Sequence, residues 1–174
     1  FLKGRDGFLR FKRMQFYCLG RRFALSAHLD NLIPVEENFS RFREHVGDVA
    51  RALGLAYAVP HFRGCSGELN LAPRAYHSGD FEEIGWMLGQ VRARHAGPIV
   101  AVGVSLGGNA LLRWAEEAGE AAAQTVRAVA AVSSPIDLTA SGRAIGVGFN
   151  RQVYTRMFLR SMVPKALRKL DQHP

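Results

Sequence analysis

The sequence predicts an α/β fold: a mostly parallel sheet with helices on both faces. Between residues 42 and 132 helical and strand-like patterns alternate, and each strand is short, apolar and closed by Gly, Ser or Pro. Strands separated by helices in this way run parallel and are joined by right-handed crossovers. A glycine-rich turn between one strand and the next helix, Gly103 to Gly108, is the third sign of the class.

Taken in order, Phe42, Val46, Val49 and Leu53 share one helical face, and Gly54 follows as a stop. Leu55 to Val59 reads as a buried strand ended by Pro60, and His61 to Pro73 as a loop rich in Gly, Ser, Asn and Pro. Asp80 with Glu83 has the form of a capping box. It opens a helix with Ile84, Met87, Leu88 and Val91 on one side, closed by Gly97-Pro98. Ile99 to Val102 is the second strand. Leu111, Trp114, Ala115 and Ala118 mark the next helix, which ends at Gly119. Val126 to Val132 is the third strand, closed by Ser133-Ser-Pro-Ile-Asp137.

From Leu138 the alternation ceases and a basic tail begins. Val153, Tyr154, Met157, Phe158, Ser161 and Met162 form one helical stripe, opposed by Arg151, Arg156 and Arg160. Pro164 is expected to end that helix and start another over Lys165 to Leu170. Residues 1–40 are atypical: Met14 to Leu19 and Phe23 to Leu29 are candidate strands, but neither alternates cleanly. The expected organisation is therefore an N-terminal segment over 1–40, a core over 41–138 and a helical tail over 139–174.

With 174 residues, 48% of them apolar and 22% charged, the chain suits one globular domain and not a disordered segment. No apolar run approaches the roughly 20 residues of a membrane span, and none follows the basic N-terminus as in a signal peptide. Cys18 and Cys65 make neither a disulfide framework nor a metal spacing, so a reducing cytoplasm is expected. The net charge of +8 sits at the ends. Residues 1–25 and 143–174 each carry seven Lys or Arg against one Asp, while 26–142 hold nine against thirteen acids. A nucleic-acid binder concentrates its charge on the working element, so no nucleic-acid partner is expected.

The chemistry centres on Gly103-Val104-Ser105-Leu106-Gly107. Between a strand and a helix, this pattern suits a nucleophile elbow, with Ser105 at a strained apex and Gly103 and Gly107 making room for the turn. Ser105 would stand at the carboxyl edge of the sheet, where the helix N-terminus and the Leu106 amide stabilise a carbonyl oxyanion. Two other readings stay open at this point. One is a structural turn that packs helix on sheet. The other is a nucleotide loop, for which Asn109 stands near where a Lys is needed.

Pro60-His-Phe-Arg-Gly-Cys-Ser-Gly67, Tyr76-His-Ser-Gly-Asp80, Gly103-Val-Ser-Leu-Gly-Gly-Asn109, Ser133-Ser-Pro-Ile-Asp-Leu138 and Asn150-Arg-Gln-Val-Tyr-Thr-Arg156, in this order, resemble the YheT-like branch of the α/β-hydrolase superfamily. The resemblance covers residues 50–174. It implies an α/β-hydrolase fold, a carboxylic-ester hydrolase with Ser105 as nucleophile, a small ester substrate with an acyl group, and no metal or organic cofactor. It also assigns Leu138 onward to the beginning of a helical cap; in such a cap the stripe would close over the serine as an apolar acyl site, the other readings being a stripe that lies on a membrane surface or one left uncovered. The His-Gly dipeptide that normally supplies a second oxyanion amide occurs nowhere in the chain, and residues 1–45 do not match. The triad order is Ser, acid, His, and the resemblance implies that the acid and base follow the cap, beyond residue 174, so the expectation is an incomplete hydrolase domain.

Within the chain, His61 is the candidate surrogate base, because it follows a strand at the correct edge. His95 belongs at the opposite edge, His45 on a solvated helix face, His77 in a loop and His173 near the last residue. Asp137 is a candidate acid, though a turn or helix cap after Pro135 suits it better. Arg63 can hold a substrate carboxylate or phosphate, or pair with an acid and pin its loop. Cys65 reads as a small buried residue. The alternatives to an esterase are a non-catalytic interaction module and a basic surface for membranes or nucleic acid, the oligomeric state being open.

Overall fold

The computed structural model describes residues 2–3, 8–11, 14–17, 35–66 and 68–173, with side chains from residue 43 onward. Two compact units make up the chain, Phe1–Leu69 and Asn70–Pro174.

The first unit is a four-stranded antiparallel sheet and one helix. Its strands, β1 (Leu2–Lys3), β2 (Phe8–Phe11), β3 (Met14–Tyr17) and β4 (Tyr57–Pro60), lie in sequence order. The expected strand at Met14 is present. The one at Phe23 to Leu29, like Cys18, lies outside the described residues. The strand expected at Leu55 to Val59 forms, but it does not join a parallel sheet: β4 pairs antiparallel with β3, Tyr17 opposite Tyr57 and Met14 opposite Pro60. A four-residue apolar run carries no signal of direction. Its partner decides, and here the partner is the edge of a hairpin.

Helix α1 (Val35–Ala52) begins earlier than the apolar spacing suggests. Its buried side is also rotated relative to expectation, with Val46 half-buried. Val49 and Leu53 are 46% and 67% exposed, whereas His45 and Asp48 are buried. The buried Asp48 carboxylate is offset by Arg51 at 2.6 Å, since a buried charge persists only when paired. His61, just past β4, donates Nδ1–H to the Cys65 carbonyl at 3.1 Å, and its Nε2 is buried without a hydrogen-bond partner among the described residues. A carbonyl only accepts, so Nδ1 carries the proton. Burial pushes this imidazole below its ordinary value and the charge of Arg43 adds to the shift, against the opposing Cys65 bond.

The second unit is the α/β part. Helix α2 (Phe81–Arg92) leads to β5 (Val100–Val104), α3 (Leu106–Ala118), a short helical turn with α4 (Ala122–Thr125), and β6 (Ala128–Val132). β5 and β6 are parallel in register, Val100 opposite Ala128 and Val104 opposite Val132, so the β5–α3–β6 crossover matches the expected unit. Helices α2 and α3 pack together, and Ile84, Met87 and Leu88 of α2, Ala110, Leu111 and Trp114 of α3, and Ile99 and Val126 are the buried core residues. Arg92 ties the end of α2 to the carbonyls of His95, Ala96, Gly97 and Thr125. Among the described residues, a helix covers only one face of this sheet. On the other, Val100, Val102 and Val132 are 63%, 55% and 45% exposed, unlike the two-sided burial of most parallel sheets.

Two glycines let α3 descend onto the sheet. A Cβ on Gly103 would meet Gly108 Cα at 2.5 Å and Gly107 O at 2.6 Å. A Cβ on Gly108 would meet Ser134 Oγ at 1.8 Å and Gly103 O at 2.8 Å. The backbones of strand and helix are in contact here, and side chains have no place between them.

The tail is helical as expected: α5 (Leu138–Ile145), α6 (Gly148–Asn150), a π-helical turn (Arg151–Thr155) and α7 (Arg156–Gln172). Pro164 does not end a helix. It lies inside α7, whose exposure lets water satisfy the carbonyl that Pro164 cannot reach. Among the described residues, no helix is long and apolar enough to cross a membrane.

Gly103→Ala and Gly108→Ala are expected to lower stability by about 1–3 kcal/mol, with Gly103→Ala the worse because it strikes only backbone. Gly89→Ala in α2, where nothing lies within 4 Å, should instead gain about 0.5–1 kcal/mol. Denaturant midpoints of the three variants check this order. For His61, a lowered folded-state value means that the unfolded chain binds the proton first. Its contribution is complete above the ordinary imidazole range of about 6.5 and is lost as pH falls below it, by at most about 1.4 kcal/mol per pH unit. Unfolding of the native chain and of His61→Gln at pH 8 and pH 5.5 should show the steeper loss in the native chain.

Candidate functional site

Ser105 is the residue between β5 and α3, with φ 52° and ψ −123°, a conformation that L side chains rarely adopt. Its backbone is fully engaged. The amide donates to Val132 O at 2.9 Å, lacing the turn to β6, and the carbonyl accepts from Gly108 and Asn109 amides at 3.0 and 3.1 Å. A serine at a helix N-cap ordinarily turns its hydroxyl onto the first-turn amides; this one makes no such bond. The positive φ aims the side chain away, leaving Ser105 exposed with no hydrogen bond to its hydroxyl among the described residues. The Leu106 and Gly107 amides belong to the first turn of α3, where N–H groups have no intrahelical acceptor and the dipole favours negative charge.

Around this turn the carboxyl edge of β5 and β6 is held by polar clamps. Asn109, one turn into α3, accepts from Gly79 N through Oδ1 at 2.8 Å and donates through Nδ2 to Pro135 O at 2.9 Å. One side chain thus joins the loop before α2 to the loop after β6. Ser133 is a second non-glycine residue with positive φ, 49°, and follows β6 as Ser105 follows β5. Ser134 Oγ packs against Gly108, buried without a hydrogen-bond partner among the described residues. Asp80 occupies the N-cap of α2, but the expected capping box does not form. Its buried carboxylate takes Arg74 at 2.9 Å instead, and the same guanidinium reaches Glu82 at 2.9 Å and His77 Nε2 at 3.0 Å. With Arg74 donating to Nε2, His77 holds its proton on Nδ1 and gives it to Ser78 O at 2.6 Å.

The candidate residues fall into separate places. Gly103 is buried and Gly107 half-buried beside Ser105 and Leu106. Asp137 caps α5, accepting from Ala140 N at 2.8 Å, which is the cap role and not that of a poised acid. His95 lies before β5, on the amino edge, and His173 bonds Leu71 O at 3.0 Å. His45 departs from expectation: it is buried, not on a solvated face. His61, Arg63 and Cys65 belong to the first unit, where Cys65 is half-buried. Among the described residues, no group of three His, Cys, Asp or Glu side chains could hold a metal ion. Sequence reasoning passed over Asn109 as a clamp. Its only trace is an amide side chain in the first helical turn behind two glycines, which serves no cap.

No family model matches the chain, and no solved structure matches it. Among curated proteins, the "Putative esterase YheT" of Escherichia coli (strain K12) is 40% identical over 129 residues, 73% of this chain. The chain spans 37% of that relative's length. The likeness supports a relationship to a YheT-like esterase.

Proposed function

We propose that this chain carries the nucleophile of a carboxylic-ester hydrolase in an α/β-hydrolase fold, with Ser105 forming the acyl intermediate. Ser105 Oγ attacks the ester carbonyl, its proton goes to the departing alkoxide through a base, and water then releases the acid from acyl-Ser105. The Leu106 amide serves the oxyanion. This chemistry needs no metal or organic cofactor, and the partner is a small ester with an acyl group. The observation that carries the reading is the backbone of Ser105: a costly positive φ that forgoes a helix cap and presents a bare hydroxyl beside a helix N-terminus. The 40% identity to the Escherichia coli relative supports the class of reaction.

The base is the missing part. His77 and His173 are engaged elsewhere in the second unit, and His95 is on the far edge. The reading therefore requires an acid and a base from outside residues 70–173, sought in sequence corresponding to the part of the relative that this chain does not span. The helices from α5 to α7 would belong to a cap over the serine.

A second reading, a hydrolase-like module that binds without catalysing, draws on the uncovered apolar surface. Val100, Val102 and Val132 on the sheet, and Leu159, Met162, Val163, Leu167 and Leu170 along α7, are all exposed.

A fluorophosphonate probe should label the chain at Ser105 only slowly, and hydrolysis of an activated aryl ester should lie on the order of 10⁴-fold or more below a complete triad. Ser105→Gly should abolish labelling and raise stability by about 1 kcal/mol through relief of the positive φ. Labelling that persists in that variant would remove Ser105 from the mechanism. Asp137→Asn keeps the cap acceptor and should leave the labelling rate within about twofold, whereas a triad acid at this position would lose several orders of magnitude.

A further inference from the structure

The tail holds a second place where chemistry is concentrated, independent of Ser105. A groove open to solvent, with a volume of about 620 Å³, is lined by Gly148, Arg151, Gln152, Thr155, Arg156 and Leu159, all but Thr155 exposed. Its lining includes two arginines and no acidic residue. Arg151 and Arg156 make no ion pair or hydrogen bond through their side chains among the described residues, in contrast to Arg74, Arg92 and Arg113, each of which is engaged.

The local backbone explains why the two cations share one groove. In an α-helix, side chains five residues apart point about 140° away from each other. Arg151–Thr155 is a π-helical turn, in which residue i is matched with i+5, so Arg151 and Arg156 come onto the same side. Gly148, with φ 54°, turns the chain just ahead of it. Thr155 Oγ1 donates to Ile145 O at 2.9 Å and ties the turn to α5. Two like charges gathered without a counter-charge repel each other, and the widened turn is a rare conformation. A bound anion relieves the repulsion and uses the forked N–H donors of both guanidinium groups.

We propose that this groove is an anion site for a phosphate group, bound by Arg151 and Arg156 with the Gln152 amide as an added donor. A phosphate dianion matches the two charges and offers enough acceptor oxygens for both forks. The group can belong to a soluble phosphate compound or to a lipid headgroup, and the chemistry of recognition is the same.

The test is titration of the full chain with inorganic phosphate, followed by calorimetry and by NMR of the Arg151, Gln152, Thr155 and Arg156 amides. Saturable binding is expected, with shifts confined to these residues, competition by sulfate, and no competition by chloride at equal ionic strength. Arg151→Gln with Arg156→Gln should weaken binding at least tenfold. Arg160→Gln with Arg168→Gln removes the same charge from outside the groove and should leave it within twofold. The single variants Arg151→Gln and Arg156→Gln give a second reading if the double variant does not fold. Co-sedimentation with phosphatidylcholine vesicles containing phosphatidic acid then separates the sources: loss of pelleting in the groove variants alone identifies a headgroup, and no pelleting of the native chain a soluble phosphate. Equal losses in both double variants, or no saturable phosphate binding, would overturn the proposal.

Discussion

The second unit rests on one close approach, the contact of Gly103 with Gly108 where α3 lands on β5. Strand and helix meet backbone to backbone, with no room for a Cβ on either side. The single residue left to reverse the chain direction, Ser105, therefore takes a positive φ. The burial of Ala110, Leu111 and Trp114, where α3 packs on α2 and on the sheet, holds that geometry in place, since a strained residue persists only where its surroundings over-determine it. An exposed hydroxyl at the carboxyl edge of a parallel strand pair is thus a by-product of packing as much as of chemistry.

The rim above that contact is polar and cross-braced. Asn109 uses both ends of its amide to join two loops, a task that Asp or Leu, the isosteres of either polarity, would do by half or not at all. Arg74 plays the equivalent part below, meeting the buried Asp80, exposed Glu82 and the ring of His77 with one planar group. Such charge-assisted bonds compensate for burying the Asp80 carboxylate, and they also spend the imidazole that sits in the loop. The rim is cross-braced, and the ring of His77 is taken up in the bracing.

What the sequence revealed follows the range of each signal. The α2 and α3 faces were legible because apolar spacing over ten or more residues leaves little choice, and Ile84, Leu88, Leu111 and Trp114 are all in the core. The strand–turn–helix at Ser105 was legible because glycine spacing reports backbone contact directly. The partner of β4 was not, since four residues cannot encode direction, and the capping box at Asp80 lost to an arginine six positions upstream. The rotated face of α1 escaped because the Asp48–Arg51 pair makes a polar side burial-competent. Pro164 misled for a related reason: solvent, invisible in a pattern, replaces the bond that the ring removes.

The far end of α7 returns to the start of its own unit. The Lys169 ammonium is bonded to the Asn70 carbonyl, and His173 to that of Leu71, across 99 and 102 residues of chain. Closing a loop of that length costs on the order of 4 kcal/mol in chain entropy, more than two polar bonds of about 1 kcal/mol each return. That seam cannot form ahead of the core that shortens the loop, and it is the cheapest part of the unit to undo. It makes a kinetic order: the β5–α3–β6 crossover assembles from near neighbours, the ends of the unit join afterwards, and on local opening they part first.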